Sequence, residues 1–199
     1  IAAAGELANN AKQTFVHKIL LPEVSFDEDK FLNGVEKDVG EHGYSVIVAS
    51  EGLKNENGEL YASSTERDSF GHNQLGGLAP KIASLITEKL GLKNHWSVAD
   101  YLQRSARHIS SLTDIEQAVA VGKAAVKLAA EGKSGVMPVI KRISDSPYEW
   151  TISEGDLNEI ANEEKTLPKH FISSDGFRIT KAGRDYLQPL IEGESFPKF

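Results

Sequence analysis

The run Asp100-Tyr101-Leu102-Gln103-Arg104-Ser105-Ala106-Arg107-His108 gathers a phenol, an amide, two guanidiniums and an imidazole within one short stretch. It follows His95–Ala99, whose composition predicts a strand, and precedes a helix predicted to start near Thr113. In open α/β sheets, ligands bind beyond the carboxyl ends of the strands. Arg suits a phosphate because its planar fork donates two parallel charge-assisted hydrogen bonds. The chemistry points to an anionic, hydroxyl-rich ligand. If the backbone there is helical or tightly turned, Arg104 and Arg107 could clamp a phosphate; a solvated or salt-bridged basic patch accounts for them equally well. Tyr101 could offer its hydroxyl to a ligand while its ring packs, or serve packing alone.

A second candidate is Glu51, in Ser50-Glu51-Gly52 after the apolar run Tyr44–Ala49. A carboxylate accepts several hydrogen bonds and so suits sugar hydroxyls; by spacing alone, an exposed loop acid is the plainer reading. Phe70-Gly71-His72-Asn73-Gln74-Leu75-Gly76-Gly77 precedes a helix, where backbone amides could receive an anion. It matches neither a Walker loop nor a dinucleotide fingerprint, and tight turns explain its glycines as well. His72, His95 and His108 lack metal-ligand spacing.

The elements that must position these residues alternate. Residues 1–13 are predicted as a short helix and His17–Leu21 as a buried strand stopped by Pro22. Ser25 and Glu28 suggest a capping box for a helix carrying Phe31, Leu32, Val35 and Val39, closed by Gly43. Tyr44–Ala49 reads as a strand buried on both faces. Asn57-Gly58 marks a turn in a polar segment from Leu53 to Gly71, either loop or small hairpin. A helix over Gln74–Leu90 follows, with Pro80 in its first turn and Gly91 at its end. Thr113 and Glu116 suggest another capping box, and Ile115, Val119, Gly122, Val126 and Ala129 the inward face of the next helix, ended by Gly132. Val136–Ile143 and Glu149–Ser153 read as a hairpin around Ser144-Asp145-Ser146-Pro147. Short helices over Asp156–Glu164 and Thr180–Gln188 complete the chain. The order predicts an α/β three-layer sandwich: a mostly parallel, Rossmann-like sheet with a late antiparallel hairpin.

The totals exclude several classes. The chain has 199 residues, 40% hydrophobic and 26% charged, as in a soluble globular protein. A net charge of -7 argues against general binding to nucleic acid or anionic membranes. There is no cysteine, so disulfides, thiolate metal sites and a cysteine nucleophile are excluded, and a reducing cytoplasm fits. No apolar run approaches the roughly 20 residues that span a bilayer.

Taken in order, Leu21-Pro22-Glu23, Ser50-Glu51-Gly52, Phe70 to Gly77 and Tyr101-Leu102-Gln103-Arg104 resemble the C-terminal half of a 6-phosphofructokinase, nearest the pyrophosphate-dependent branch. The resemblance covers nearly all of residues 1–199. It implies that Glu51 contacts hydroxyls of fructose 6-phosphate and that Tyr101, Leu102, Gln103 and Arg104 bind the sugar phosphate. ATP-dependent bacterial members usually have His where Tyr101 stands. The family's Gly-Gly-Asp donor loop, its Thr-x-Asp segment with the catalytic base and its Met-Gly-Arg motif are absent, and Ile1-Ala2-Ala3-Ala4-Gly5 resembles the helix just after the last of these. The expectation is a fragment lacking the phosphoryl-donor portion and its Mg²⁺ ligands, and inactive alone.

For the whole enzyme the resemblance implies phosphoryl transfer from pyrophosphate to the 1-hydroxyl of fructose 6-phosphate with Mg²⁺, in glycolysis, by a cytoplasmic homodimer. The alternatives are an ATP-dependent 6-phosphofructokinase or a non-catalytic sugar-phosphate-binding or regulatory module. Glu23 lends the last some weight, because its position belongs to an effector site in some ATP-dependent relatives.

Overall fold

The computed structural model describes residues 1–67, 73–75 and 77–195, with 63–67, 73–75, 103 and 104 described by backbone alone. The chain divides into two compact units. The first comprises Ile1–Ala99 and Leu167–Arg184, the second Asp100–Thr166 and residues from 185 onward.

In the first unit a 3₁₀ helix, Ala2–Ala8, replaces the longer helix expected over 1–13. Asn9 and Asn10 end it by capturing backbone donors. Asn9 Oδ1 accepts from the amides of Phe15 and Val16 at 2.7 and 2.8 Å, and Asn10 Oδ1 from those of Lys12 and Gln13. Such local bonds compete with helix propagation. Strand β1, Lys18–Leu20, is buried along its length and runs parallel to β2, Ile47–Ala49, in the register Ile19 to Val48. Between them lies α1, Glu28–His42.

The helix is capped by Asp27, which accepts from the Lys30 amide at 2.9 Å, and not by the Ser25 and Glu28 pair. Phe26 just before the cap stacks on Phe31 at 5.2 Å, a hydrophobic staple that sets the entry angle. Gly43 closes α1 at φ 80°, as expected. β2 is shorter than the expected Tyr44–Ala49 and more open than a strand covered on both faces: Ile47, Val48 and Ala49 are all half-buried, and Tyr44 and Val46 before it are 44% and 40% exposed.

Beyond β2, Lys54 bridges to Leu60 around Gly58 (φ +79°), so the polar segment is a small hairpin. Tyr61 then donates to Glu28 on α1 at 2.6 Å. β3 (Ser63–Arg67) pairs antiparallel with β4 (Asn73–Leu75), and α2 follows at Leu78–Leu90. Gln74 and Leu75 therefore belong to a strand rather than to that helix. Phe31, Val35, Leu53, Leu78 and Ile82 meet in one apolar cluster between α1, α2 and the parallel pair. The returning segment forms a tight turn, bridged between Ile172 and Ile179, whose Phe177 carbonyl accepts from the Ile19 amide at 2.8 Å on the far side of β1.

The expected strand His95–Ala99 does not form. These residues are exposed and carry no ladder, and the side chain of Asn94 folds back to Ala83 and Thr87 of α2 at 3.0 and 2.8 Å. An apolar run becomes a strand only where a neighbouring strand accepts its backbone groups.

The second unit opens with one α-turn, α3 (Leu102–Ser105), a 3₁₀ turn at Arg107–Ile109, and α4, Leu112–Ala130. Ser111, not Thr113, caps α4, accepting from the Asp114 amide at 3.1 Å and donating to the Leu190 carbonyl at 2.8 Å. Its inward face is also not the expected one. Gln117 and Leu128 are buried, Gln117 donating to the Tyr148 hydroxyl at 2.6 Å, while Val119 and Val126 are 50% and 71% exposed. Strands β5 (Val136–Asp145) and β6 (Tyr148–Asp156) form the expected hairpin, longer at both ends. α5 (Leu157–Ile160) follows, and α6 (Lys181–Leu187) begins in the first unit and ends in the second. The α/β class, with its parallel pair, covering helices and late antiparallel hairpin, is the one read from the sequence.

Candidate functional site

At the carboxyl ends of β1 and β2 two junctions lie side by side. The Ser50 amide donates to the Leu20 carbonyl at 3.0 Å, which ties the end of β2 to the end of β1. A side-chain carbon added at Gly52 would lie 3.4 Å from the Pro22 ring, so the absence of one lets the two turns touch. Glu51 and Glu23 thus share one edge of the parallel pair. Glu51 is half-buried, and among the described residues none hydrogen-bonds or ion-pairs with its carboxylate. Glu23 is committed: one oxygen accepts from the Leu167 amide at 2.8 Å, and the other is buried with no partner among the described residues. That bond anchors the returning segment to the first junction. A cleft of about 260 Å³ opens nearby between Val24, Asp27, Lys30, Asp175 and Phe177, but Glu51 does not line it.

Tyr101, Leu102, Gln103 and Arg104 belong to the second unit. Tyr101 and Leu102 are 69% and 70% exposed, and the Tyr101 carbonyl accepts from both the amide and the hydroxyl of Ser105. This turn is tight, as a phosphate clamp would require. The side chains of Gln103 and Arg104 lie outside the described residues, as do residues 70–72 and 76 of the glycine-rich stretch. Arg107 is already occupied, donating to the carbonyl and hydroxyl of Ser195. Of the two readings left open for Arg104 and Arg107, a shared phosphate clamp or a bonded basic patch, the Ser195 contacts favour the second for Arg107. Glu51 and Arg104 come from different units.

Sequence reasoning missed a charged cluster in the first unit. Glu6 is 3% exposed. Its carboxylate accepts from Arg178 Nε at 2.8 Å and Nη2 at 2.6 Å, and from Asn9 Nδ2 at 3.2 Å. Arg184 donates to the carbonyls of Glu6 and Asn9 at 2.6 and 2.9 Å. Burial alone would raise the Glu6 carboxyl, but the Arg178 fork and Asn9 outweigh it and hold it below the usual carboxylate range. The partners lie so far apart along the chain that no local pattern could signal them. The same holds for Lys18, buried in β1 and paired with Asp38 of α1 at 2.9 Å.

Among the described residues no three His, Asp or Glu side chains come together as a metal site. Among the same residues no helix is long and apolar enough to cross a membrane.

No protein-family model matches the chain. It is 56% identical over 199 residues to a pyrophosphate–fructose 6-phosphate 1-phosphotransferase of Methylococcus capsulatus, covering all of this chain and 47% of that protein. With the corresponding protein of Halomonas elongata it shares 52% identity, covering 48% of it. The crystal structure of a pyrophosphate-dependent phosphofructokinase from Nitrosospira multiformis superposes with a TM-score of 0.82 at 49% identity, over all of this chain and 46% of that one. The chain spans about half the length of the curated relatives it matches.

Proposed function

From a chain that belongs to the pyrophosphate-dependent phosphofructokinase family, we infer an acceptor-binding segment that holds fructose 6-phosphate while a donor portion outside residues 1–199 presents pyrophosphate. The observation that supports this reading is the pairing of the β1 and β2 junctions, with a Glu51 carboxylate that has no partner among the described residues at the carboxyl edge where α/β sheets bind ligands. Glu51 accepts hydrogen bonds from the sugar hydroxyls. Arg104, with Tyr101, Leu102 and Gln103 in the same tight turn, receives the 6-phosphate. The sugar's 1-hydroxyl oxygen then attacks a pyrophosphate phosphorus, the bridging P–O bond breaks, inorganic phosphate leaves and fructose 1,6-bisphosphate forms. The hydroxyl proton goes to a base outside this segment.

Such transfers rest on in-line placement and charge neutralisation, so the contribution of these residues is orientation. Mg²⁺, which would neutralise the pyrophosphate charge, belongs with the donor portion. A homodimer in cytoplasmic glycolysis is the setting this reading implies. The names of the relatives favour pyrophosphate over ATP as donor.

The test is calorimetric titration of the full-length protein with fructose 6-phosphate. Arg104→Ala is expected to weaken binding by ~1.5–3 kcal/mol, the scale of a hydrogen bond to a charged group. Glu51→Gln is expected to weaken it less. Unchanged affinity in both variants would remove this edge and this turn from the sugar site.

A further inference from the structure

We propose that Glu6 is a positioning residue for the sugar site: clamped by Arg178 and Arg184, it seats the 3₁₀ helix Ala2–Ala8 on β2 and so fixes how Ser50-Glu51-Gly52 leaves that strand. The proposal rests on the reading of Glu51 as the hydroxyl acceptor.

The clamp is unusually directional. A buried carboxylate takes the Arg178 fork on both oxygens, while Arg184 grips the Glu6 and Asn9 carbonyls at the helix's end. Replacing a buried ion pair with apolar side chains of similar volume is often neutral or stabilising, so stability alone does not call for such an arrangement. What the charged fork adds is one permitted orientation. The helix it orients lies directly on β2, because a side-chain carbon added at Gly5 would sit 3.2 Å from a Val48 methyl. No side chain cushions that contact. Val48 lies within β2, which runs straight into the Glu51 junction, and the junction is pinned on its other side by Leu20 and Pro22. A tilt of the helix therefore displaces β2 at its carboxyl end, where the sugar hydroxyls are to be met. Catalytic geometry is sensitive to shifts on the order of 1 Å.

The experiment measures KM for fructose 6-phosphate, KM for pyrophosphate and kcat in the full-length protein, at a temperature where thermal unfolding shows each variant folded. Glu6→Gln is expected to raise KM for fructose 6-phosphate about tenfold, with KM for pyrophosphate unchanged and kcat within about twofold. Glu6→Asp, which keeps the charge, should recover part of the loss. A folded Glu6→Gln with an unaltered KM for fructose 6-phosphate, whatever its melting temperature, overturns the proposal. Should Glu6→Gln not fold, Gly5→Ala presses on Val48 without touching the clamp and is expected to raise the same KM; a folded Gly5→Ala with wild-type KM overturns the proposal as well. Glu51→Gln separates the two readings. If it leaves sugar affinity intact, the site assignment fails; if it weakens affinity while the Glu6 and Gly5 variants do not, only the positioning role fails.

Discussion

His17 carries its proton where no described residue receives it. Nδ1 accepts from the Val46 amide at 3.1 Å, so the proton sits on Nε2, which is buried and has no partner among the described residues. Burial pushes the His17 pKa down; the nearby cations Lys18 and Arg178 push the same way, and Asp38 opposes them. The sign of the linkage follows. Above about pH 6.5 both folded and unfolded chains hold a neutral imidazole. As pH falls below that value the unfolded chain takes up a proton that the folded one resists, so stability declines until the folded-state pKa is reached. Urea unfolding at pH 7.5 and 5.5 is expected to show a loss in the wild type that shrinks in His17→Gln. An equal loss in both would place the pH sensitivity elsewhere. Glu6 acts in a lower window: its depressed carboxyl supplies stability above about pH 4.5 that drains away as pH falls through its folded-state value.

Two helical glycines show how differently the same substitution acts in different elements. A side-chain carbon at Gly34 of α1 would lie 2.7 Å from the Lys18 Cε and Nζ atoms, in the notch through which that buried lysine reaches Asp38. Gly34→Ala is expected to cost about 1–3 kcal/mol by displacing the pair. Gly122 of α4 has nothing within 4 Å of the same position. Gly122→Ala is expected to stabilise by about 0.5–1 kcal/mol through lost chain entropy. Denaturant melts of both variants check the pair of signs.

Most elements were legible in the sequence, because β-branched runs, glycine stops and the helical spacing of Phe31, Leu32, Val35 and Val39 act locally. Caps were less so: Asp27 and Ser111 prevailed over Ser25 and Thr113 because Phe26 staples one helix and Leu190 recruits the other. The face of α4 was misread since its apolar residues surround the helix, and Tyr148, far along the chain, draws Gln117 inward. His95–Ala99 has strand composition but no ladder partner. In the candidate site Glu51 stood out by its place after a strand, whereas the Glu6 clamp joins ends of the chain that no spacing relates.

Residues 1–199 form two units and span about half the length of the relatives they match, with apolar side chains such as Val119, Val126 and Ile109 open to solvent at 50%, 71% and 75%. Residues 1–199 contain neither the Gly-Gly-Asp nor the Thr-x-Asp pattern that the resemblance implies for the donor loop and the base. The purified 199-residue chain is accordingly expected to show no phosphotransferase turnover, measured as fructose 1,6-bisphosphate formed from pyrophosphate in material free of host enzyme. Measurable product would place donor and base chemistry within these residues.

The chain's path carries one more consequence. It leaves the first unit after Ala99 and comes back at Leu167, where Glu23, Ile19 and Glu6 hold the return, and Ser111 and Arg107 hold the residues beyond. Residues 161–166 between are exposed. A protease nick there should therefore leave two pieces that travel as one through gel filtration and part only in denaturant, making the backbone bond at that point dispensable to the folded particle.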